Sequence, residues 1–190
     1  MLDSTYWNNR YIEEKTGWDI GHASPAIIDF FTDKDRSSKI LIPGCGNAYE
    51  GEALHQKGFH NITLADFAET SKINFLERYP AFESQHFITG DFFELDGEFD
   101  YIVEQTFFCA LTPTMREDYV LKMKDLLHES GQLVGLMFDA PLNTDHPPFG
   151  GCKEEYLNLF SKHFGKVKLT KCENSIAPRS GKELWIEIAH

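Results

Sequence analysis

The chain has 190 residues, 42% of them hydrophobic and 14% aromatic, which suffices for one buried core and exceeds what a disordered chain carries. Its formal net charge of −12 and pI near 5.0 leave no basic stripe to displace phosphate counterions, so a nucleic-acid partner is not expected. A small anion held in one local pocket stays compatible with that charge, because net charge steers association without fixing local geometry.

In chain order, short apolar runs alternate with segments of helical spacing. KILIP (39–43) predicts strand one and NITLAD (61–66) strand two; QHFIT (85–89), FDYIVE (99–104) and QLVGLMF (132–138) predict strands three to five. The last is almost unbroken apolar sequence, as a central strand covered on both faces requires. Helices are expected over 49–57, 69–79 and 115–128, with Gly58 and Gly131 as left-handed caps and Pro80 as a stop. The alternation implies crossover units on a parallel sheet, an α/β doubly wound fold. After Phe138 a loop rich in Pro and Gly (139–151) leads to a helix near 153–164. KVKLTKC and ELWIEIA then read as a terminal strand pair, joined by ENSIAPRSGK. A single domain over 1–190 is expected.

No run approaches the roughly 18 apolar residues of a membrane span. The opening MLDSTYWNNRYIEEK carries acids and amides where a signal peptide is basic and then apolar, so a cytoplasmic protein without a membrane partner is expected. Cys45, Cys109, Cys152 and Cys172 form no C-x-x-C pair; no metal site or disulfide framework is expected.

Candidate site residues sit at the strand ends. In ILIPGCGNAYEGEAL a strand runs through Gly44 and Gly46 into a helix, and glycines there allow a tight bend and close approach of backbone to ligand. Asp66 ends strand two about twenty residues on, where a carboxylate accepts from both hydroxyls of a ribose. The third glycine of a nicotinamide-binding loop would fall at Tyr49, which argues against a dinucleotide. Asp91 and Phe92 follow strand three, placed to meet an adenine amino group and ring. Glu104 ends strand four, where its charge would complement an ammonium or a sulfonium.

Taken together, YWNNRYIEEKTGWDIGHASP, ILIPGCGNAYE, LADF, GDFF, FDYIVEQTFFCALTPTMR, LLHESGQLVGLMF, HPPF and PRSGKE resemble the class I S-adenosylmethionine-dependent methyltransferases. Within them the chain is most similar to the thiopurine methyltransferase family and its plant halide and thiol methyltransferase branch. The resemblance implies a Rossmann-like seven-stranded mixed sheet with the last strand antiparallel. It also implies an N-terminal helical lid (1–24) placing Trp7, Tyr11 and Trp18 over S-adenosyl-L-methionine. Tyr11 stands where the branch often has Trp, Gln105 where mammalian thiopurine enzymes carry Arg, and Phe138 where the plant branch has Tyr. The expected acceptor is a small soft nucleophile (a thiol, thiocyanate, sulfide or halide) lodged among Phe107, Phe108, Phe138 and the 145–149 loop. Arg179 or Lys182 would supply positive charge and His146 a base. A monomer is expected. The alternatives are methyl transfer to a nitrogen heterocycle or metalloid, and a non-catalytic cofactor-binding module of the same fold.

Overall fold

A computed structural model describes residues 2–190, so residue 1 of the expected 1–24 lid lies outside the described residues. Seven strands form one sheet: β1 Ile40–Pro43, β2 Ile62–Asp66, β3 Phe87–Thr89, β4 Phe99–Gln105, β5 Leu127–Phe138, β6 Lys166–Lys171 and β7 Glu183–Ala189. Their order is β3-β2-β1-β4-β5-β7-β6, with β1 to β5 parallel and β7 antiparallel between β5 and β6. The expected fold class is therefore the one observed.

Alternation along the strands explains why the runs are apolar throughout. Ile40 and Ile42 point into one cluster with Leu54, Leu64, Phe75, Val103 and Val134, while Leu41 points into the other with Ile102, Tyr119, Leu133 and Phe160. The helices covering these faces are α2 Pro25–Phe30, α3 Tyr49–Gln56, α4 Glu69–Arg78, α5 Arg116–Leu126 and α6 Lys153–Phe160. A further helix, α1 Ser4–Ile12, starts where the Asp3 side chain accepts from Tyr6 N at 3.0 Å. None of the helices is long and apolar enough to cross a membrane.

Three expected boundaries shift. The helix read over 115–128 ends at Leu126, and the chain passes directly into β5, where Leu127 is buried and pairs with Phe99. Gly131 is thus no cap: a Cβ there would lie 2.8 Å from the Phe99 carbonyl oxygen, so the residue permits close strand approach. The helix expected over 153–164 stops at Phe160, and 85–86 belong to a short 3-10 turn before β3. Gly58 does follow α3 at φ +91°, its amide bonding His55 O at 3.0 Å. Helix α2, over residues for which no helix was expected, begins with Pro25 at its first position, where no amide partner is needed.

Candidate functional site

Strand order reverses between β1 and β4, and the chain leaving each of these strands forms a cleft at the carboxyl edge of the sheet. Its floor is the 44–48 bend. Gly44 and Gly46 adopt φ of +56° and +54°, and Ala48 follows at +52°. Both glycines are also required by packing: a Cβ on Gly44 would fall 2.2 Å from a ring carbon of Phe107, and one on Gly46 would fall 2.9 Å from the Tyr11 hydroxyl. Asp66 fixes the bend, since one carboxylate oxygen accepts from Gly46 N and the other from Ala68 N, each at 2.8 Å. Burial outweighs these amide bonds and pushes the Asp66 carboxyl above the usual carboxylate range. The side chain itself is half-buried.

The N-terminal segment lies over this floor. Trp18 stacks edge-on with Trp7 and with Tyr11, at centroid distances of 5.5 and 5.7 Å. Burial, followed by the charge of Asp66, drives the Tyr11 phenol strongly upward, so it is a neutral hydrogen-bonding group. Four ties hold the segment: Asn8 accepts from the amide and hydroxyl of Thr70, Asp19 accepts from Asn47, Glu50 accepts from Ser24 N at 2.9 Å, and Arg179 donates to Trp18 O at 2.8 Å.

A cleft lies between the bend and this segment. Trp18, Gly44 and Gly46 line it, as do Asn47, Gln105 and Thr106. Trp7, Tyr11 and Asp66 stand behind that wall: the aromatics as packing for Trp18, the acid as the clamp on Gly46.

Two expected contacts, those of Glu104 and Phe92, are placed elsewhere. Glu104 does not aim its carboxylate into this cleft. It is 1% exposed and folds under the loop after β4, accepting from Phe107 N at 2.8 Å and Phe108 N at 2.9 Å on one oxygen and from the Tyr119 hydroxyl on the other. Burial pushes it up to about 7. Phe92 is buried in the core, its ring 5.1 Å from Phe107, which in turn packs on Gly44. It supports the bend from below rather than facing a base. Asp91 caps the short turn that follows it by accepting from Phe93 N at 2.9 Å.

Thr106 reaches over the buried Glu104 by adopting φ +58°, a left-handed conformation that costs a β-branched residue on the order of 1–3 kcal/mol. This residue also lines a second cavity, of about 190 Å³, with Glu104, Cys109, Leu136, Phe138 and Tyr156. Thr106 is the one residue common to both linings. Phe138 lies in this second wall, and the buried guanidinium of Arg179 stands 5.4 Å from its ring centroid while pairing with Glu183 at 3.4 Å. Phe107 lines neither cavity, and Phe108 closes the second from the core side. His146, expected as a base, projects into solvent beside Asp145 and Pro147 and touches neither space. Lys182 is likewise exposed; its backbone accepts from Asp139 N and donates to Arg179 O.

Sequence reasoning passed over Gln105 and Thr106 as site residues because their neighbour Glu104 carried the charge. The Oε1 atom of Gln105 is buried without a hydrogen-bond partner, as is Oγ1 of Thr89 at the end of β3, opposite Asp66 in register. The Gln105 oxygen, an unpaired acceptor in the wall of the cleft beside the glycine bend, fits a ligand with hydroxyl or ammonium donors. The adenosyl and methionyl parts of S-adenosylmethionine carry those donors.

Comparison with known proteins agrees with this geometry. The chain is 31% identical over 189 residues to thiocyanate methyltransferase 1 of Arabidopsis thaliana and 29% identical over 184 residues to probable thiol methyltransferase 2 of the same plant. Each alignment covers 93% of this chain and 81% of the relative. In fold it is similar to the 1,6-didemethyltoxoflavin-N1-methyltransferase of Burkholderia thailandensis, with a TM-score of 0.73 at 16% identity over 98% of this chain and 85% of the other. Residues 2–187 match the family described as thiopurine S-methyltransferase. The chain belongs to that family and is an S-adenosylmethionine-dependent methyltransferase.

Proposed function

We propose that this enzyme methylates the sulfur of a small thiol, or thiocyanate, sulfide or a halide, bound in the cavity beyond Thr106. The observation that carries the reading is that Thr106 belongs to the walls of two spaces: a cleft with polar strand ends for the cofactor, and a smaller pocket walled by Leu136, Phe138, Cys109 and Tyr156. Walls of this kind, mostly apolar with a thiol and an aromatic face, suit a soft nucleophile of few atoms. The names of the plant relatives, thiol and thiocyanate methyltransferases, point the same way.

When bound, S-adenosylmethionine supplies a methyl group on a sulfonium, open to in-line displacement. The protein's contribution is then mostly positioning and exclusion of water. Gln105 and Thr89 would accept from the donor groups of the cofactor, Asp66 would hold the glycine bend and meet the ribose, and Trp18 would cover it with Trp7 and Tyr11 behind. Phe138 and Arg179 would receive the acceptor, the guanidinium favouring an anionic one. We read residues 1–190 as a single domain that acts as a cytoplasmic monomer, with 1–24 as the cover of the cleft.

Incubation with methyl-labelled S-adenosylmethionine and a panel of thiols, sulfide, thiocyanate, iodide, nitrogen heterocycles and metalloid oxyanions tests the reading. Turnover of the sulfur and halide members is expected. Labelling only of the heterocycles or oxyanions would overturn it, and binding without turnover of any member would favour a sensor module.

A further inference from the structure

We propose that Glu104 is the proton acceptor for thiol substrates, taking the S–H proton of an acceptor bound against the wall that Glu104 shares with Thr106, Leu136 and Phe138, as its sulfur attacks the methyl group. The proposal rests on the acceptor reading above and adds to it a catalytic residue.

The geometry comes first. Glu104 lines the cavity, is buried, and is the one carboxylate among the residues that do so. Its oxygens are held by Phe107 N, Phe108 N and the Tyr119 hydroxyl, so the side chain has a single fixed placement. Three donors leave acceptor capacity on a carboxylate, which offers about four lone-pair sites. The groups facing it from each packed element are Tyr119 on α5, Cys109 after β4 and Tyr156 on α6; β5 presents Leu136, Met137 and Phe138, which carry no charge. Arg116 and Arg179 act on Cys109 from further out. Burial pushes the Cys109 thiol up to about 12 and the Tyr119 and Tyr156 phenols well upward, so none of the three accepts a proton near neutral pH. Glu104, at about 7, does.

A thiol near its ordinary value of about 8.5 is mostly protonated at neutral pH, and only the thiolate attacks readily. In the proposed step the S–H bond breaks, with its proton passing to a Glu104 oxygen. The sulfur forms a bond to the methyl carbon, and the old carbon–sulfonium bond breaks with its electron pair left on the departing sulfur. The products are a methyl thioether, S-adenosylhomocysteine and protonated Glu104, which returns its proton to water on product release. Thiocyanate and iodide carry no proton and bypass the transfer.

The test compares 2-mercaptoethanol with thiocyanate. Glu104→Gln keeps the shape and both amide contacts, and is expected to lower the ratio of kcat/KM for the thiol to that for thiocyanate by roughly 100-fold or more, in the range of general-base effects. Tyr119→Phe keeps the carboxylate but removes a donor to its charged form. It is expected to move the acid limb of the thiol kcat/KM profile to higher pH with no such limb for thiocyanate, and it serves if Glu104→Gln does not fold. An unchanged ratio in Glu104→Gln, or an unshifted limb in Tyr119→Phe, overturns the proposal. Wild-type turnover of neither acceptor overturns the acceptor reading and this proposal together, whereas turnover of both with equal losses in the variant overturns this proposal alone.

Discussion

The guanidinium of Arg179 donates to the backbone carbonyl of Trp18 over 2.8 Å, joining the loop before the last strand to a segment 161 positions earlier in the chain. The same side chain lies against the Phe138 ring, so one buried cation touches both the cover of the cofactor cleft and the wall of the second cavity. Loss of a buried charge-assisted hydrogen bond costs about 1.5–3 kcal/mol. Arg179→Gln is therefore expected to raise the dissociation constant for S-adenosylhomocysteine about tenfold or more in calorimetry. An unchanged constant would show that the segment closes without this tie.

Gly44 is constrained twice, by its φ of +56° and by the Phe107 ring. Gly44→Ala is expected to lower unfolding stability by about 2–4 kcal/mol, combining left-handed strain with overpacking. Phe107→Ala should recover part of the overpacking, so urea melts of the double variant should show less loss than the sum of the two single variants. Additive losses would mean that the ring and the bend do not press on each other.

Thr106 stores backbone strain at a position common to the walls of both cavities. Thr106→Gly removes the Cβ conflict, and its stability is expected to equal or exceed wild type by about 1 kcal/mol. Its acceptor KM should rise, because the side chain common to both walls is gone. A stability loss with unaltered KM would contradict a role for this strain in shaping the site.

Glu104 gives the fold a pH signature of its own. Its folded value of about 7 lies above its ordinary 4.5, so between those limits the native state binds more protons than the unfolded chain. Stability from this group is full below pH 4.5 and declines as pH rises through about 7, by up to about 3 kcal/mol. Urea midpoints at pH 5 and pH 8 should separate further in wild type than in Glu104→Gln. Equal separation would place the carboxylate in a more solvated setting.

His146 supplies a control. Its exposed ring contacts only Asp145 and the Pro147 carbonyl, and His146→Ala is expected to keep kcat/KM within about twofold, the usual outcome for a surface change away from the site. A larger drop would bring the 145–149 loop back into the chemistry.

The sheet was legible because β1, β4 and β5 are buried on both faces and their apolar runs have no competing reading. The glycine bend and Asp66 were legible because φ above zero and a carboxylate at a strand end leave distinct residue types. Glu104 was misplaced because a charged residue at the end of a strand reads as facing the ligand. Whether the following loop supplies amides to fold it inward depends on Thr106 turning left-handed, and threonine gives no sign of that. Phe92 next to Asp91 suggested a base-facing ring, but the ring's direction was set by Phe107 and Tyr119, distant in sequence. Helix α5 and strand β5 abut without a turn, so Gly131 imitated a cap while serving a close approach to Phe99.

The most direct measurement is a crystal structure of the enzyme with S-adenosylhomocysteine and thiocyanate. The account predicts the cofactor sulfur at Thr106, facing thiocyanate in the pocket of Phe138 and Cys109, with the amino-acid end against Gln105. A sulfur turned away from that pocket, or thiocyanate bound elsewhere, would contradict it.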